Sequence, residues 1–212
     1  YEEAKEIAKE IGIRHITIDT SELNIEGFAN NPPNRCYFCK SELFGNLKEI
    51  AREKGYKNVA DGANLDDTGE YRPGLDAAKE LEVRSPLKEC RLRKPDIRKI
   101  SKHLKLSNWD KPPYACMSSR FPYGNSITEE KLAIVAAAEN YLRSIGLRQF
   151  RVRHHDTIAR IEVLPEDIPG LLYDSKRKEL VRKFKEIGYK YVTIDMEGYR
   201  SGSMNEVLIQ QK

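Results

Sequence analysis

Two adjacent prolines and a pair of cysteines set the point near the start of the chain where an extended segment gives way to a helix. Pro32 and Pro33 hold the backbone extended, because a proline ring fixes φ and disfavours helical geometry in the residue before it. The pattern predicts a helix from about Cys36 to Gly55, with Cys36 and Cys39 one turn apart at its N-terminus. Its apolar face is formed by Leu43, Phe44, Leu47, Ile50 and Ala51.

The composition indicates a soluble chain of one or two domains. Of 212 residues, 37 are Lys or Arg and 33 are Asp or Glu, which leaves a net charge of only +4. No apolar run approaches the roughly 20 residues that a membrane span needs, and no signal peptide is visible. Four unevenly spaced cysteines are not typical of a disulfide scaffold. We therefore expect a cytoplasmic protein with reduced thiols and no membrane partner.

Alternation of helical and strand patterns in the first half predicts an α/β fold with a parallel sheet and helices on both faces. The helices are expected at 1–11 and 36–55 and again around Pro95, and the strands at 13–19, 58–62 and 81–87. Residues 62–74 form a long polar loop after the second strand. Ligands of open parallel sheets bind beyond the carboxyl ends of the strands, so this loop is a candidate ligand site.

The pattern changes after Tyr123 and predicts a small α-β-β-α-β domain. We expect helices at 128–145 and 173–187, and strands at 149–155, 158–163 and 190–195, with a tight turn at 156–157. The domains are therefore 1–122 and 123–212. The first helix of the second domain has a broad apolar face, which predicts contacts between subunits of a homo-oligomer. That face comprises Leu132, Ile134, Val135, Ala138, Tyr141 and Leu142.

Three cysteines are candidates for a metal centre. Cys36, Cys39 and Cys116 suit an iron–sulfur cubane held by three thiolates with one iron left open. The alternatives are a redox pair at Cys36 and Cys39, a four-cysteine zinc site completed by Cys90, or a Cys116 that is simply a small buried side chain.

Basic residues of the second domain are candidates for a phosphate site. Arg151, Arg153 and His155 alternate along one strand and so share a face, and Glu162 lies on the neighbouring strand. Arg200 follows the last strand in a Gly/Ser-rich turn that allows close approach to an anion. Without an anion, Arg151 and Arg153 would form an ordinary solvated strand face. With one, Glu162 is expected to pair with an arginine and fix its orientation.

A set of short motifs, in the same order along the chain, resembles the LarE-type ATP-dependent sulfur transferases of the PP-loop ATP pyrophosphatase superfamily. The motifs are NPPNRCYFCK, DGANLDD, YRPG, RSPL, WDKP, ACMSSRFPYG, RVRHH and GYRSGSMNE. The resemblance implies a PP-loop, Rossmann-like (HUP-type) nucleotide domain followed by a substrate and oligomerisation domain. It also implies an enzyme that adenylates a carboxylate of a pyridinium mononucleotide and replaces oxygen with sulfur, as in nickel-pincer cofactor synthesis.

The same resemblance assigns roles to individual residues. Cys116 would be the sulfur-bearing catalytic residue. Some members of the family give up the sulfur of this cysteine, whereas members with the RCYFC pair hold a 4Fe–4S cluster that carries a sulfide from a donor. Cluster ligation is implied for Cys36, Cys39 and Cys116. Substrate and phosphate binding is implied for Arg151, Arg153 and Arg200, beside a catalytic Glu162. Binding of ATP and Mg²⁺ is implied near Asp66, Asp67, Ser119 and Arg120.

One motif of the superfamily, the phosphate loop of form SGGxDS, does not occur in the sequence. We expect it, with the first strand, to precede Tyr1, and we expect the chain as written to bind ATP poorly. The alternatives are a tRNA thiolase, an amide-forming ligase on the same fold, or a non-catalytic zinc-stabilised nucleotide-binding module. The mild net charge favours a small-molecule substrate over nucleic acid.

Overall fold

The computed structural model describes residues 1–69 and 71–209. Their contacts divide the chain into two units. Unit 1 contains Tyr1–Phe28 and Asn34–Lys111, and unit 2 contains Ala29–Pro33 and Pro112–Lys212. The division falls at 111/112, so residues 112–122, which the sequence pattern assigned to the first domain, pack with the second.

Unit 1 is mainly helical. Helix α2 begins one residue before Cys36, and Pro95 lies in the first turn of α5, both as predicted. The helices of unit 1 are α1 (Glu2–Glu10), α2 (Arg35–Glu53), α3 (Gly74–Glu80), α4 (Pro86–Glu89) and α5 (Lys94–His103).

The three strands predicted in unit 1 were wrong for the described residues. Residues 13–19 form no β-ladder. The strands predicted at 58–62 and 81–87 are reduced to a single parallel bridge between Ala60 and Arg84. A strand requires a hydrogen-bonded neighbour along its whole length. In the part of the chain that the structure describes, residues 13–19 have no such neighbour. Ile13 and Ile16 accordingly remain exposed by 59% and 42%.

Unit 2 contains the predicted α-β-β-α-β elements in order, with two short helices, Ile168–Leu172 and Glu206–Ile209, that were not predicted. Thr128 caps α6, since its hydroxyl accepts a hydrogen bond from the Lys131 backbone N–H. Asp156, with φ of 51°, forms the tight turn between the first two strands. The elements are α6 (Glu129–Ser144), β1 (Phe150–His155), β2 (Ile158–Val163), α7 (Ile168–Leu172), α8 (Asp174–Ile187), β3 (Tyr191–Ile194) and α9 (Glu206–Ile209).

The sheet of unit 2 has the order β1-β2-β3. β1 and β2 are antiparallel, with Phe150 opposite Val163, and β3 runs parallel to β2 after the crossover through α7 and α8. One face of the sheet packs on α6 and α8. The buried side chains of this core are Ala138, Leu142, Phe150, Val152, Ala159, Ile161, Val163, Leu171, Leu180, Phe184 and Tyr189.

The apolar face of α6, which suggested subunit contacts, is used within unit 2. Val135, Ala138 and Leu142 are fully buried, and Ile134 and Tyr141 pack against the core. The apolar face of α6 therefore no longer supports contacts between subunits. The homo-oligomer stays a prediction.

Candidate functional site

The second face of the unit 2 sheet carries a cluster of charged side chains. Residues that alternate along a strand point to one side, and the register places Arg151 opposite Glu162 and Arg153 opposite Arg160. Phe150, Val152 and His154 point to the core instead. The charged face therefore consists of Arg151, Arg153, His155, Arg160 and Glu162.

Glu162 pairs with an arginine, as the sequence predicted. Its two oxygens accept hydrogen bonds of 2.8 Å from Nε and Nη2 of Arg153, and the carboxylate is 1% exposed. Nη1 of Arg153 donates to the carbonyl oxygen of Ser119 at 2.6 Å, and Nη2 also donates to the Ser203 hydroxyl. Arg153 thereby ties the segments around Ser119 and Ser203 to the sheet.

Arg160 and Arg200 share one carboxylate partner, Asp195, at the end of β3. Arg160 reaches Asp195 through Nη1 at 2.5 Å and Glu162 through Nη2 at 3.3 Å. Arg200 donates through Nε and Nη2 to Glu206 at 3.2 and 3.1 Å, and its Nη1 lies 3.8 Å from Asp195. The carboxylates hold both guanidinium groups in place.

Arg151 differs from these arginines. It is 3% exposed and donates to the carbonyl oxygens of Phe150 and Pro113 at 2.6 and 2.8 Å, with the rings of Tyr114 and Tyr199 about its guanidinium. Burial, and then the charge of Arg120, lower the pKa of Arg151. Among the described residues no carboxylate forms an ion pair with Arg151.

Cys116 begins a tightly held turn beside the charged face. The thiol is exposed, and residues 117–120 form a single 3-10 turn. Nη1 of Arg120 donates to the carbonyl oxygens of Ala115 and Cys116, both at 2.9 Å, and the Ser119 hydroxyl also donates to Cys116 at 2.7 Å. The backbone on both sides of the thiol is therefore fixed.

Glu139 secures Arg120 and was not anticipated from the sequence. Nε and Nη2 of Arg120 donate to its two oxygens at 2.7 and 2.9 Å, and both side chains are 1% exposed. The backbone N–H of Val152 donates to the same carboxylate at 3.0 Å. The available signal was a glutamate within the apolar stripe of α6, beside Ala138 and Leu142. The N–H groups of Arg120 thus bond Glu139 and the carbonyl oxygens around Cys116, and in this way Arg120 positions Cys116.

A cavity of about 110 Å³ opens between the turn that follows Cys116 and the charged face. Its polar wall includes Ser119, Arg153, His155 and Arg160, and burial, followed by the charges of Arg160 and Arg153, lowers the pKa of His155. The remaining lining residues are Arg120, Phe121, Pro122, Tyr123, Ser203, Met204 and Val207.

In unit 1, the cysteine pair lies in the first two turns of α2. Cys36 is exposed and Cys39 is half-buried. The start of α3 packs closely against this turn, because a Cβ on Gly74 would lie 3.4 Å from the Cys36 carbonyl oxygen and 2.9 Å from Lys40 Cγ. Cys90 is also exposed and ends α4.

Asp66 and Asp67 stabilise the loop before α3. Asp66 accepts the backbone N–H of Lys94 at 2.8 Å, at the start of α5. Asp67 is buried, accepts two hydrogen bonds from Asn64, and lies 3.1 Å from Arg72. These contacts lie within unit 1, and the binding of ATP and Mg²⁺ near Asp66 and Asp67 stays a prediction.

Comparison with known proteins decides the family. The pyridinium-3,5-bisthiocarboxylic acid mononucleotide synthase of Lactiplantibacillus plantarum is 39% identical over 210 residues, which cover 98% of this chain and 75% of the relative. The chain belongs to the LarE-type family. An uncharacterized protein of Synechocystis sp. is 50% identical over 98% of this chain and 77% of its own length. Another, from Methanocaldococcus jannaschii, is 32% identical over 90% of this chain and 74% of its own. No protein-family model matches the sequence.

The cysteines of this LarE-type chain have the thiols that an iron–sulfur cluster needs, but the described residues show no grouped set of ligands. All four are thiols, and Cys36 and Cys39 lie one helical turn apart. Within residues 1–69 and 71–209, no three His, Cys, Asp or Glu side chains are grouped to hold a metal ion. Cys116 belongs to unit 2 and the pair to unit 1, so the convergence of the three sulfurs stays a prediction.

The LarE-type chain has no helix, within the described ranges 1–69 and 71–209, whose length and apolarity would let it span a bilayer.

Proposed function

We propose that this LarE-type chain takes part in ATP-dependent sulfur transfer to a pyridinium mononucleotide. A substrate carboxylate attacks the α-phosphorus of ATP, and pyrophosphate leaves. A sulfur nucleophile then forms a bond to the carboxyl carbon, and AMP leaves with the oxygen. The name of the Lactiplantibacillus relative, which specifies a bisthiocarboxylic acid mononucleotide product, supports this assignment.

The observation that carries the proposal is the exposed Cys116 thiol on a rigidly held backbone. A buried structural cysteine would not need Arg120 on two consecutive carbonyl oxygens, with Glu139 fixing the arginine in turn. A nucleophile or sulfur carrier does, because transfer requires the reacting atoms to be held near contact geometry. Cys116 is the catalytic residue of the proposal, and Arg120 and Glu139 are positioning residues.

Substrate binding is assigned to the charged face. Arg151, buried without a carboxylate partner, is suited to neutralising a phosphate, and Arg200 can contribute if Glu206 gives way. Arg153 forms a bidentate ion pair with Glu162. We propose that this pair mainly holds the segments around Ser119 and Ser203 against the sheet. Ser119 lies on the cavity wall, where its hydroxyl donates to the Cys116 carbonyl oxygen and helps to hold the turn.

The cofactor assignments extend the proposal. A 4Fe–4S cluster would be held by Cys36, Cys39 and Cys116, and would supply an open iron that carries sulfide. ATP and Mg²⁺ are proposed to bind in unit 1 near Asp66 and Asp67, whose carboxylates hold the loop before α3 in place. A cytoplasmic homo-oligomer supplied by a sulfide donor remains part of the proposal.

Incubation of the chain with sulfide, a pyridinium dicarboxylate mononucleotide and a large excess of ATP tests the function, since the excess offsets the weak ATP binding expected without a phosphate loop. We expect mass spectrometry to show stepwise replacement of carboxyl oxygen by sulfur, and Cys116→Ser to abolish it. Cys90→Ser is the matched control and should leave the product unchanged, since Cys90 lies outside the proposed site.

The protein mass distinguishes the two sulfur sources. If Cys116 gives up its own sulfur, each chain should transfer one sulfur atom, lose the mass of one hydrogen sulfide and then be inactive. If sulfide is carried by a cluster, iron analysis and the visible spectrum should register it and turnover should continue. Equal sulfur transfer by wild type and Cys116→Ser would rule out the catalytic assignment.

A further inference from the structure

A short segment near the start of the chain belongs to unit 2, although the residues on both sides of it belong to unit 1. This segment is Ala29–Pro33. Backbone hydrogen bonds pair it with residues 121–127, which directly follow the turn at 117–120. The segment therefore lies, 90 residues away in sequence, against the chain that leaves the turn beginning at Cys116.

Asn31 makes the central contacts of this pairing. Its side-chain Nδ2 donates to the carbonyl oxygens of Phe121 and Pro122 at 3.2 and 2.7 Å, and its own carbonyl oxygen accepts from the backbone N–H of Gly124 at 2.9 Å. The residue is fully buried, with 0% exposure. Because buried carbonyl oxygens need donors, one amide group here satisfies two consecutive backbone acceptors.

The backbone of Asn31 has an uncommon conformation. Its φ is 53°, and it precedes Pro32, which restricts the residue before it. Asparagine tolerates a positive φ better than most residues do, and aspartate shares this property but donates no hydrogen bond when ionised. Such conformations persist where the surrounding contacts hold them, and they concentrate at functional sites. Asn31 thus meets a conformational requirement and a hydrogen-bonding requirement together.

The contacts of Asn31 reach the turn of Cys116 through Phe121. The backbone N–H of Phe121 donates to the carbonyl oxygen of Ser118 within the turn, at 3.4 Å. The Phe121 side chain is 1% exposed, and its ring centroid lies 5.2 Å from that of His154 on the core side of the sheet. The residue that ends the turn is therefore held at its backbone by Asn31 and at its ring by the sheet.

We propose that Asn31 is a positioning residue for the Cys116 thiol. Arg120 and Glu139 hold the backbone at the start of the turn, and Asn31 holds the chain where it leaves the turn. The identification of Cys116 as the reacting residue rests on the proposed function. Transfer of sulfur needs the reacting atoms near contact geometry, so freedom at the end of the turn would lower the rate.

Backbone ¹⁵N relaxation of the 212-residue chain tests the inference without any reaction. In wild type, the amide order parameters of residues 116–121 should be about 0.85, the usual value for rigid backbone. In Asn31→Gly they should fall to about 0.6 or below, the range of flexible backbone. Glycine accepts the positive φ, so this variant removes the two side-chain hydrogen bonds without adding strain. Asn31→Asp keeps the size but not the donors, and should lower the order parameters too.

Leu180→Ala separates positioning from a general loss of stability. Leu180 lies on α8 in the apolar core of unit 2 and is 3% exposed. Its truncation should make unfolding by urea easier but leave the order parameters of residues 116–121 at their wild-type values. If Leu180→Ala lowered those order parameters as much as Asn31→Gly does, the effect would follow stability alone, and Asn31 would have no positioning role.

The rate of sulfur transfer provides a second measurement. In single-turnover experiments, Asn31→Gly should slow the transfer about 10- to 100-fold, as expected for a displacement of about 1 Å. The mononucleotide concentration that gives half the maximal rate should not change, because Asn31 acts through the backbone of the turn. Leu180→Ala should keep the wild-type rate per folded chain.

The inference is overturned by low order parameters at 116–121 in wild type, or by unchanged ones in a folded Asn31→Gly. Failure of the proposed function is distinct, since wild type would then transfer no sulfur while Asn31→Gly still loosened the turn. Should Asn31→Gly not fold, hydrogen exchange of wild type decides. The amides of Gly124 and Ile127, which donate to Asn31 and Ala29, should exchange as slowly as those of β1, and fast exchange would contradict the pairing.

Discussion

Three N–H groups converge on the buried carboxylate of Glu139, two from Arg120 and one from the backbone of Val152. The carboxylate therefore joins the turn after Cys116, helix α6 and strand β1. A buried ion pair is a weak source of net stability, but removal of one partner leaves the other charged and without solvent. This explains how a single residue within an apolar helix face can control the position of a thiol.

Glu139→Gln should lower the free energy of unfolding by about 3 kcal/mol, because Arg120 would keep its charge without a counter-charge. Urea unfolding measures the change. Glu186→Gln, which breaks the exposed pair with Arg182 on α8, is the matched control and should have little effect. An equal effect of the two variants would contradict the buried role of Glu139.

The two adjacent histidines predict a pH dependence of stability. Burial lowers the pKa of His154, whose Nδ1 lies 3.1 Å from the Tyr189 hydroxyl, and likewise that of His155. The unfolded chain therefore binds more protons below about pH 6.5, and stability should fall as the pH decreases from 6.5. Each histidine contributes less than about 1.4 kcal/mol per pH unit.

Urea unfolding between pH 7.5 and 5.5 measures this slope. His154→Gln should reduce the slope, since the amide can still bond Tyr189 but does not titrate, whereas His103→Gln should preserve it. A slope that is unchanged in His154→Gln, or that has the opposite sign, would be inconsistent with a neutral buried histidine.

Residue patterns predicted one of the two buried ion pairs and missed the other, for a physical reason. Arg153 and Glu162 lie on adjacent strands of a hairpin, so period-two alternation and a tight turn were enough to bring them together. Arg120 and Glu139 lie in a loop and on a helix, and their contact depends on how α6 packs on the sheet. No local periodicity encodes that packing.

At the scale of elements, Gly198 controls how the chain leaves the sheet. It has φ of +74°, and a Cβ there would lie 2.8 Å from the carbonyl oxygen of Val163 at the end of β2. The next residue, Tyr199, donates its N–H to that same oxygen at 2.7 Å. The close crossing of the two backbones delivers Arg200 to the charged face.

Gly198→Ala should destabilise unit 2 by about 2 kcal/mol or more, because a left-handed conformation and a backbone clash act together. Gly202→Ala is the matched control, since Gly202 has φ of +80° but open space around a Cβ, and about 1 kcal/mol is expected from conformation alone. Thermal unfolding compares the two. Equal losses would show that the crossing over Val163 tolerates a methyl group.

Elements were predicted well where their partners are near in sequence. The hairpin, its turn and the two long helices of unit 2 were anticipated, since β1 pairs with the strand that follows it. The short helices α7 and α9 were not. The strands expected in unit 1 were not found, because parallel pairing depends on neighbours that are remote in sequence. The bridge between Ala60 and Arg84 is the part of that pairing present in the described residues.

At the scale of the whole molecule, buried apolar side chains are unevenly shared between the units. Large buried residues such as Phe150, Ile161 and Phe184 belong to unit 2, all fully inaccessible. Among the described residues of unit 1, the buried hydrophobic ones are three alanines and two phenylalanines, Ala8, Ala77, Ala78, Phe28 and Phe44. Apolar burial is the main favourable contribution to folding, so the two units should differ in stability.

We therefore expect unit 1 to open before unit 2. In hydrogen exchange followed by mass spectrometry, peptides from 13–19 and 94–105 should exchange early, because they lie in exposed segments with few buried side chains. Peptides from 150–163 and 180–187 should exchange last. Two variants separate the units: Phe44→Ala should accelerate exchange in unit 1 alone, and Leu142→Ala should accelerate it in unit 2. If both variants accelerated exchange equally throughout the chain, the units would be one cooperative body, and the fixed geometry of Cys116 would depend on unit 1 as much as on Glu139.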